Sequence, residues 1–193
     1  MNFLAHLYLS DDTPESRLGN LLGDFVRSPQ IDTYPAPVRA GFALHQRIDA
    51  YTDAHPVFQH SRTRISLPRR RYAGVLVDVF YDHFLALHWA EFAPIPLPDF
   101  ARQVYAELAA NDPLLPESLR QIVPAMIRDD WLTSYRAPDG IDRALDRIAR
   151  RLRHETPLAG AVEELTGHYD GLQADFLAFF PALRQYVAGE CEG

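Results

Sequence analysis

The chain has 193 residues, 47% of them hydrophobic, and a formal net charge of −7. That length and apolar content suit one domain, residues 1–193, with a substantial core. The acidic balance argues against nucleic-acid binding as the main task, because phosphate contacts need basic surface. All 19 cationic residues are arginine, which meets carboxylate and phosphate as a planar fork. Five of them, Arg62, Arg64, Arg69, Arg70 and Arg71, fall within ten residues. The single cysteine, Cys191, permits no internal disulfide and no cysteine-based zinc site. The apolar start, Met1 to Leu9, lacks a basic region and is too short to span a bilayer, and no other segment is long enough. A cytoplasmic protein without membrane insertion is expected.

Helical periodicity dominates, and prolines punctuate it. A short helix is expected over residues 2–9. Thr13 and Pro14 then open a second, with Leu18, Leu21, Leu22 and Phe25 as its apolar stripe. A third helix is expected over 37–53 and a fourth over 56–65, stopped by Leu67-Pro68. A long apolar helix should run over 69–92. Further helices are expected over 99–111, 116–132 and 141–153. The last is expected over 157–188, with a kink at Pro181. The fold class is all-α, a single-domain bundle of about eight or nine helices.

The long apolar helix carries Asp78 and Asp82, four residues apart and so on one face, with His83 beside the second. Burying two carboxylates together is costly unless a cation joins them. A bound metal would supply one. His6 lies among Phe3, Leu4, Leu7 and Leu9. Asp24 ends the run Leu21-Leu22-Gly23. His45 and Asp49 share a face of the third helix, and Asp53 continues it one turn later. Singly, each has an ordinary explanation: a core histidine, a helix cap at Asp24 or Asp53, or an ion pair between Asp82 and Arg47. Together, imidazoles and carboxylates from four helices suggest a hard divalent ion rather than a structural zinc, and hydrolysis as the chemistry. Arg47, within one turn of His45 and Asp49, is a candidate phosphate clamp.

The segments Met1-Asn-Phe-Leu-Ala-His-Leu-Tyr-Leu9, Leu18-Gly-Asn-Leu-Leu-Gly-Asp-Phe-Val26, His45-Gln-Arg-Ile-Asp49 with Thr52-Asp53, and Asp78-Val-Phe-Tyr-Asp-His-Phe-Leu85 resemble the acyl carrier protein phosphodiesterase family. Trp131-Leu132, Tyr135-Arg136 and His168-Tyr-Asp-Gly-Leu172 fit as well. The resemblance runs from residue 1 to about residue 185. It implies an all-helical fold distantly related to HD-type phosphohydrolases, although the chain has no adjacent His-Asp dyad. It implies hydrolysis of holo acyl carrier protein to apo carrier and 4'-phosphopantetheine, with Mn(II) as the expected cofactor and another divalent metal as the alternative. Carried over by position, His6, Asp24, His45, Asp49, Asp78 and Asp82 are candidate metal ligands, and Asp49, His83 and Arg47 candidate catalytic residues. The arginines at 62, 64, 69, 70 and 71 gain a role as a docking patch for the acidic carrier. Three rivals stay open: a phosphohydrolase of a nucleotide or other small phosphoester, a non-catalytic carrier-binding module, and a di-iron oxygenase. The last is weakest, because no Glu-x-x-His pair is present.

Overall fold

The computed structural model describes residues 1–152 and 156–190. Among these there is no strand; the fold is all-α. The first half comprises α1 (Phe3–Tyr8), α2 (Pro14–Leu22), α3 (Ser28–Ile31), α4 (Ala36–Ala54) and α5 (Pro56–Arg64). A 3-10 segment, Leu67–Tyr72, leads into α6 (Ala73–Leu87), α7 (Trp89–Phe92) and α8 (Leu97–Ala110). The second half holds α9 (Glu117–Arg120), α10 (Val123–Arg128), α11 (Trp131–Ser134), α12 (Pro138–Arg151), α13 (Val162–Gly167) and α14 (Tyr169–Glu190). No helix among the described residues is long and apolar enough to cross a membrane.

The longer expected helices are present, several cut into shorter pieces. The 69–92 helix loses its arginine-rich start to the 3-10 segment and breaks again at His88. The 116–132 helix becomes α9, α10 and α11. Asp130 adopts a left-handed φ of 41° between the last two, and its carboxylate accepts from the Thr133 N–H and from the Tyr105 hydroxyl. A short polar side chain that bonds its own backbone tolerates that conformation. Pro181 lies inside α14. The missing Pro181 N–H leaves the Leu177 carbonyl without its helical partner, at an exposed residue. The expected end at Arg153, His154, and Cys191 of the tail lie outside the described residues.

Aromatic rings fill the centre. Phe58, Phe80, Tyr81, Phe84, Phe176 and Phe179 are fully buried, and Tyr81 meets Phe58 and Phe176 edge-on. Two features of this core position the site. The first is the crossing of α2 and α4. A Cβ on Gly19 would lie 2.0 Å from the Val38 carbonyl oxygen, and one on Gly41 would lie 2.3 Å from that of Ser16. Only glycine at both positions lets the backbones touch, and this brings Gly23, just past α2, against His45. The second is Arg17, buried at the α2–α8 contact, which donates to both carboxylate oxygens of Glu107 at 2.7 and 2.6 Å and to Asp12 at 3.0 Å.

Candidate metal centre

Amphipathic packing of α1 and α4 puts the apolar stripe of each inward and carries three polar groups with it. His6, His45 and Asp49 present ligand atoms all within 4.8 Å of one another. The two imidazoles stack, 3.9 Å between centroids and 17° from parallel. Asp49 bridges them, with Oδ1 3.2 Å from His6 Nε2 and Oδ2 3.1 Å from His45 Nε2. The histidine side chains are almost wholly buried, whereas that of Asp49 is 43% exposed, so the group opens to solvent at the carboxylate.

Asn20, unremarked in the sequence, sets the state of His6. Its amide nitrogen donates to the His6 carbonyl at 2.8 Å and to Ser10 Oγ at 3.0 Å. The amide oxygen therefore faces His6 Nδ1, 2.8 Å away, and accepts from it. With Nδ1 protonated, a neutral His6 turns its Nε2 lone pair toward Asp49 Oδ1 and the Met1 carbonyl, both at 3.2 Å. A lone pair facing two acceptors is a poor arrangement alone and a good one around a cation. An outer partner that fixes the tautomer is the usual support of a metal-binding histidine. Burial lowers the His6 pKa and outweighs the hydrogen bond to Asp49, which keeps the ring neutral.

His45 is held by absence of bulk. A Cβ on Gly23 would lie 2.2 Å from its Cγ and Cδ2, so the ring occupies the space a side chain would fill. Its Nδ1 is buried without a hydrogen-bond partner among the described residues. Burial lowers the His45 pKa, but the bond to Asp49 and the fields of Asp24 and Asp49 outweigh it and leave it raised. Burial likewise raises the Asp49 pKa, and the hydrogen bond from His45 and the Met1 ammonium overcome this, holding the carboxyl well below the usual range. The His6 Nε2 lone pair, His45 Nε2 and the Asp49 carboxylate, drawn together on one side of the stacked rings, form a donor set that fits a divalent cation.

The other candidates divide. Asp78 borders the group: its Oδ1 is 2.9 Å from the Met1 α-ammonium, which also reaches Asp49 Oδ1 at 3.3 Å. Burial raises its pKa against the ammonium's pull; burial lowers that of the ammonium, but Asp78 and Asp49 overcome this and push it up to about 11. Asp24 is exposed in the turn after α2, close enough for its charge to act on His45. Asp53 is exposed at the end of α4.

Asp82, an expected ligand, meets backbone donors at both carboxylate oxygens. Its two oxygens accept from the N–H groups of Leu4 at 2.8 Å and Ala5 at 3.0 Å, making it a cap for α1 supplied from α6. Burial raises its pKa to about 7 despite these donors. The pairing of Asp78 and Asp82 on one face thus has its positive partner in the start of α1: the ammonium for one, orphan backbone donors for the other. His83, next along α6, points elsewhere. Its Nδ1 meets the Tyr135 carbonyl at 2.8 Å and its Nε2 the Tyr169 hydroxyl at 2.9 Å, so its contacts are structural. Arg47 is exposed, and a two-residue offset turns it roughly 200° around α4 from His45 and Asp49. Its backbone therefore starts on the side of α4 opposite the cluster.

The 62–71 arginines are largely committed as well. Arg64 pairs with Asp175 at 2.7 Å, Arg69 with Glu164 at 3.3 Å, and Arg70 donates to the Ile65 and Thr63 carbonyls. These bonds tie α5 and the 3-10 segment down. Arg62 touches Gln59, and Arg71 is exposed.

Comparison with known proteins agrees with the early resemblance. A family model described as acyl carrier protein phosphodiesterase matches residues 1–183. A protein of that name from Enterobacter sp. (strain 638) is 37% identical over 184 residues, covering 95% of both chains. Namesakes from Yersinia pestis and Klebsiella pneumoniae are each 36% identical, again over 95% of both chains. No solved structure gives a significant match. The chain belongs to the acyl carrier protein phosphodiesterase family.

Proposed function

We propose that the protein, as one catalytic domain, is a metal-dependent phosphodiesterase that removes 4'-phosphopantetheine from holo acyl carrier protein, leaving apo carrier. The observation that carries the metal half of this is the His6–His45–Asp49 group, with its tautomer fixed by Asn20 and its ring space cleared by Gly23. The relatives' name carries the substrate half. His6, His45 and Asp49 would hold the cation, with Asp24 at the exposed rim to complete the shell. Nitrogen and carboxylate donors without thiolate favour Mn(II) over structural zinc. The ion, when bound, neutralises phosphoryl charge and makes water a better nucleophile at neutral pH.

The protein's own groups do the rest. Asn20 keeps His6 in the Nδ1–H form, so that Nε2 is always a donor to the ion. Asp49, strongly ionised, is a poor proton acceptor and serves as ligand. Asp78, which shares the Met1 ammonium with Asp49, would stand beside it as a further ligand. The buried faces of the two imidazoles exclude bulk solvent and leave approach only from the Asp49 side.

Mass spectrometry of holo acyl carrier protein incubated with the enzyme, with and without Mn(II), tests the proposal. Conversion to the apo mass with release of 4'-phosphopantetheine, only with metal, is expected. A folded, metal-loaded protein that leaves the carrier intact but cleaves a small phosphoester would overturn the substrate.

A further inference from the structure

A cavity of about 480 Å³ opens between α10, α11 and α12 and the first residues of α1. Its charged wall carries Arg128, Arg143, Arg147, Arg150 and Arg151 against only two carboxylates, Asp129 and Asp146. Arg128 is spent on Asp129, at 2.8 and 3.0 Å. Arg150 comes no nearer than 4.0 Å to Asp146. The Arg147 guanidinium lies over Trp131, 3.9 Å from the ring centre, and one of its terminal nitrogens is buried without a hydrogen-bond partner among the described residues. Arg151 faces the rings of Phe3 and Phe25 at 5.8 and 5.9 Å. In a chain of net charge −7, this is a local excess of under-neutralised cations over an apolar floor of Phe3, Ile122 and Trp131.

We infer that this arginine-lined cavity, rather than the 62–71 cluster, is where an acidic helix of the carrier protein docks. The inference rests on the proposed function and adds the surface that recognises its protein substrate. Three observations favour it. Arg64, Arg69 and Arg70 are occupied by internal partners, which removes most of the other patch. Positions 143, 147, 150 and 151 recur at helical spacing on one face of α12 and span roughly 12 Å, longer than a single phosphate needs and matched to about two turns of a partner helix. Finally, Asn2 and Phe3 line the cavity while Met1, their neighbour in sequence, touches Asp49 and Asp78. A carrier seated there brings its prosthetic group to the edge of the metal centre.

The test uses the full-length protein with the double variant Arg143→Glu/Arg150→Glu, both positions being exposed, and Arg62→Glu as a control. Binding of apo carrier is measured by titration calorimetry. Turnover of holo carrier and of bis(4-nitrophenyl) phosphate is measured with Mn(II) across a salt series. The double variant should bind apo carrier roughly tenfold or more weakly, raise KM for holo carrier and flatten its salt dependence, with a much smaller loss on the small diester. Arg62→Glu should match wild type in carrier binding. Unchanged carrier binding in the double variant would overturn the inference. Equal losses on carrier and small diester, relieved by neither salt nor carrier concentration, would also overturn it, in favour of a small-anion subsite. If wild type binds apo carrier through these arginines but releases nothing from holo carrier, the hydrolase proposal fails and the docking surface stands.

Discussion

Gly23→Ala isolates the mechanism that holds His45. Gly23 has φ −54° and ψ −31°, an ordinary helical conformation, so alanine fits the backbone and should by itself gain about 0.4–1 kcal/mol. The added Cβ, however, would lie 2.2 Å from the imidazole. Restoring a carbon contact of about 3.5 Å requires the ring to move by roughly 1.3 Å. It cannot retreat freely, since His6 stacks on it at 3.9 Å and the ring is only 7% exposed. Overpacking of this kind costs about 1–3 kcal/mol, which leaves a net loss of up to about 2.6 kcal/mol after the backbone gain. A displaced ligand should also weaken metal binding by about 10–100-fold, the range seen when outer-shell supports are lost. Urea unfolding with calorimetric titration of Mn(II) measures both, and Gly74→Ala on α6, where a Cβ meets nothing within 4 Å, is the control. A Gly23→Ala protein as stable as wild type and equally avid for Mn(II) would refute the account of His45.

Two further outcomes follow from the same structure. Asp82→Ala leaves the Leu4 and Ala5 N–H groups buried and unpaired, which should cost about 2–3 kcal/mol of stability in thermal or denaturant unfolding; a cost near zero would return Asp82 to the list of ligands. Glu164 accepts from the Ser66 N–H at 3.1 Å and pairs with Arg69 at 3.3 Å. Burial raises its pKa, but these partners prevail and lower it below the ordinary 4.5. Its contribution, about 1.5–3 kcal/mol, is therefore fully present above pH 4.5 and fades as pH falls through the folded value. The stability gap between wild type and Glu164→Ala should narrow on acidification, and a gap that widens would reverse the assignment.

The helical class and most of the long elements were legible because apolar spacing and proline placement are local signals. The His45–Asp49 pair was legible for the same reason, since i and i+4 share a face by geometry alone. Which partner meets that face is a tertiary fact. The Asp78–Asp82 spacing pointed to one face but not to what lay opposite, and α1 fills that place with an ammonium and two backbone donors. Nearness of Arg47 to His45 and Asp49 along the chain does not give its angle around the helix, which starts it on the other side of α4. Asn20 had a signal that went unused, a polar side chain within Leu18-Gly-Asn-Leu-Leu22, where its amide should have demanded a buried partner. Gly23 had none, because the need for missing bulk appears only when α2 and α4 cross. The arginines of 62–71 and of α12 look alike in sequence; what separates them is that Asp175 and Glu164 lie against the first set.

The most direct test of the central claim is a Mn(II) titration, by calorimetry and electron paramagnetic resonance, of wild type beside His45→Ala, Asp49→Ala and Asp82→Asn. Wild type should bind the ion, His45→Ala and Asp49→Ala should lose affinity by more than the roughly 100-fold upper range of outer-shell changes, and Asp82→Asn should retain it. Wild-type affinity in Asp49→Ala, or loss in Asp82→Asn alone, would contradict the placement of the metal at His6, His45 and Asp49.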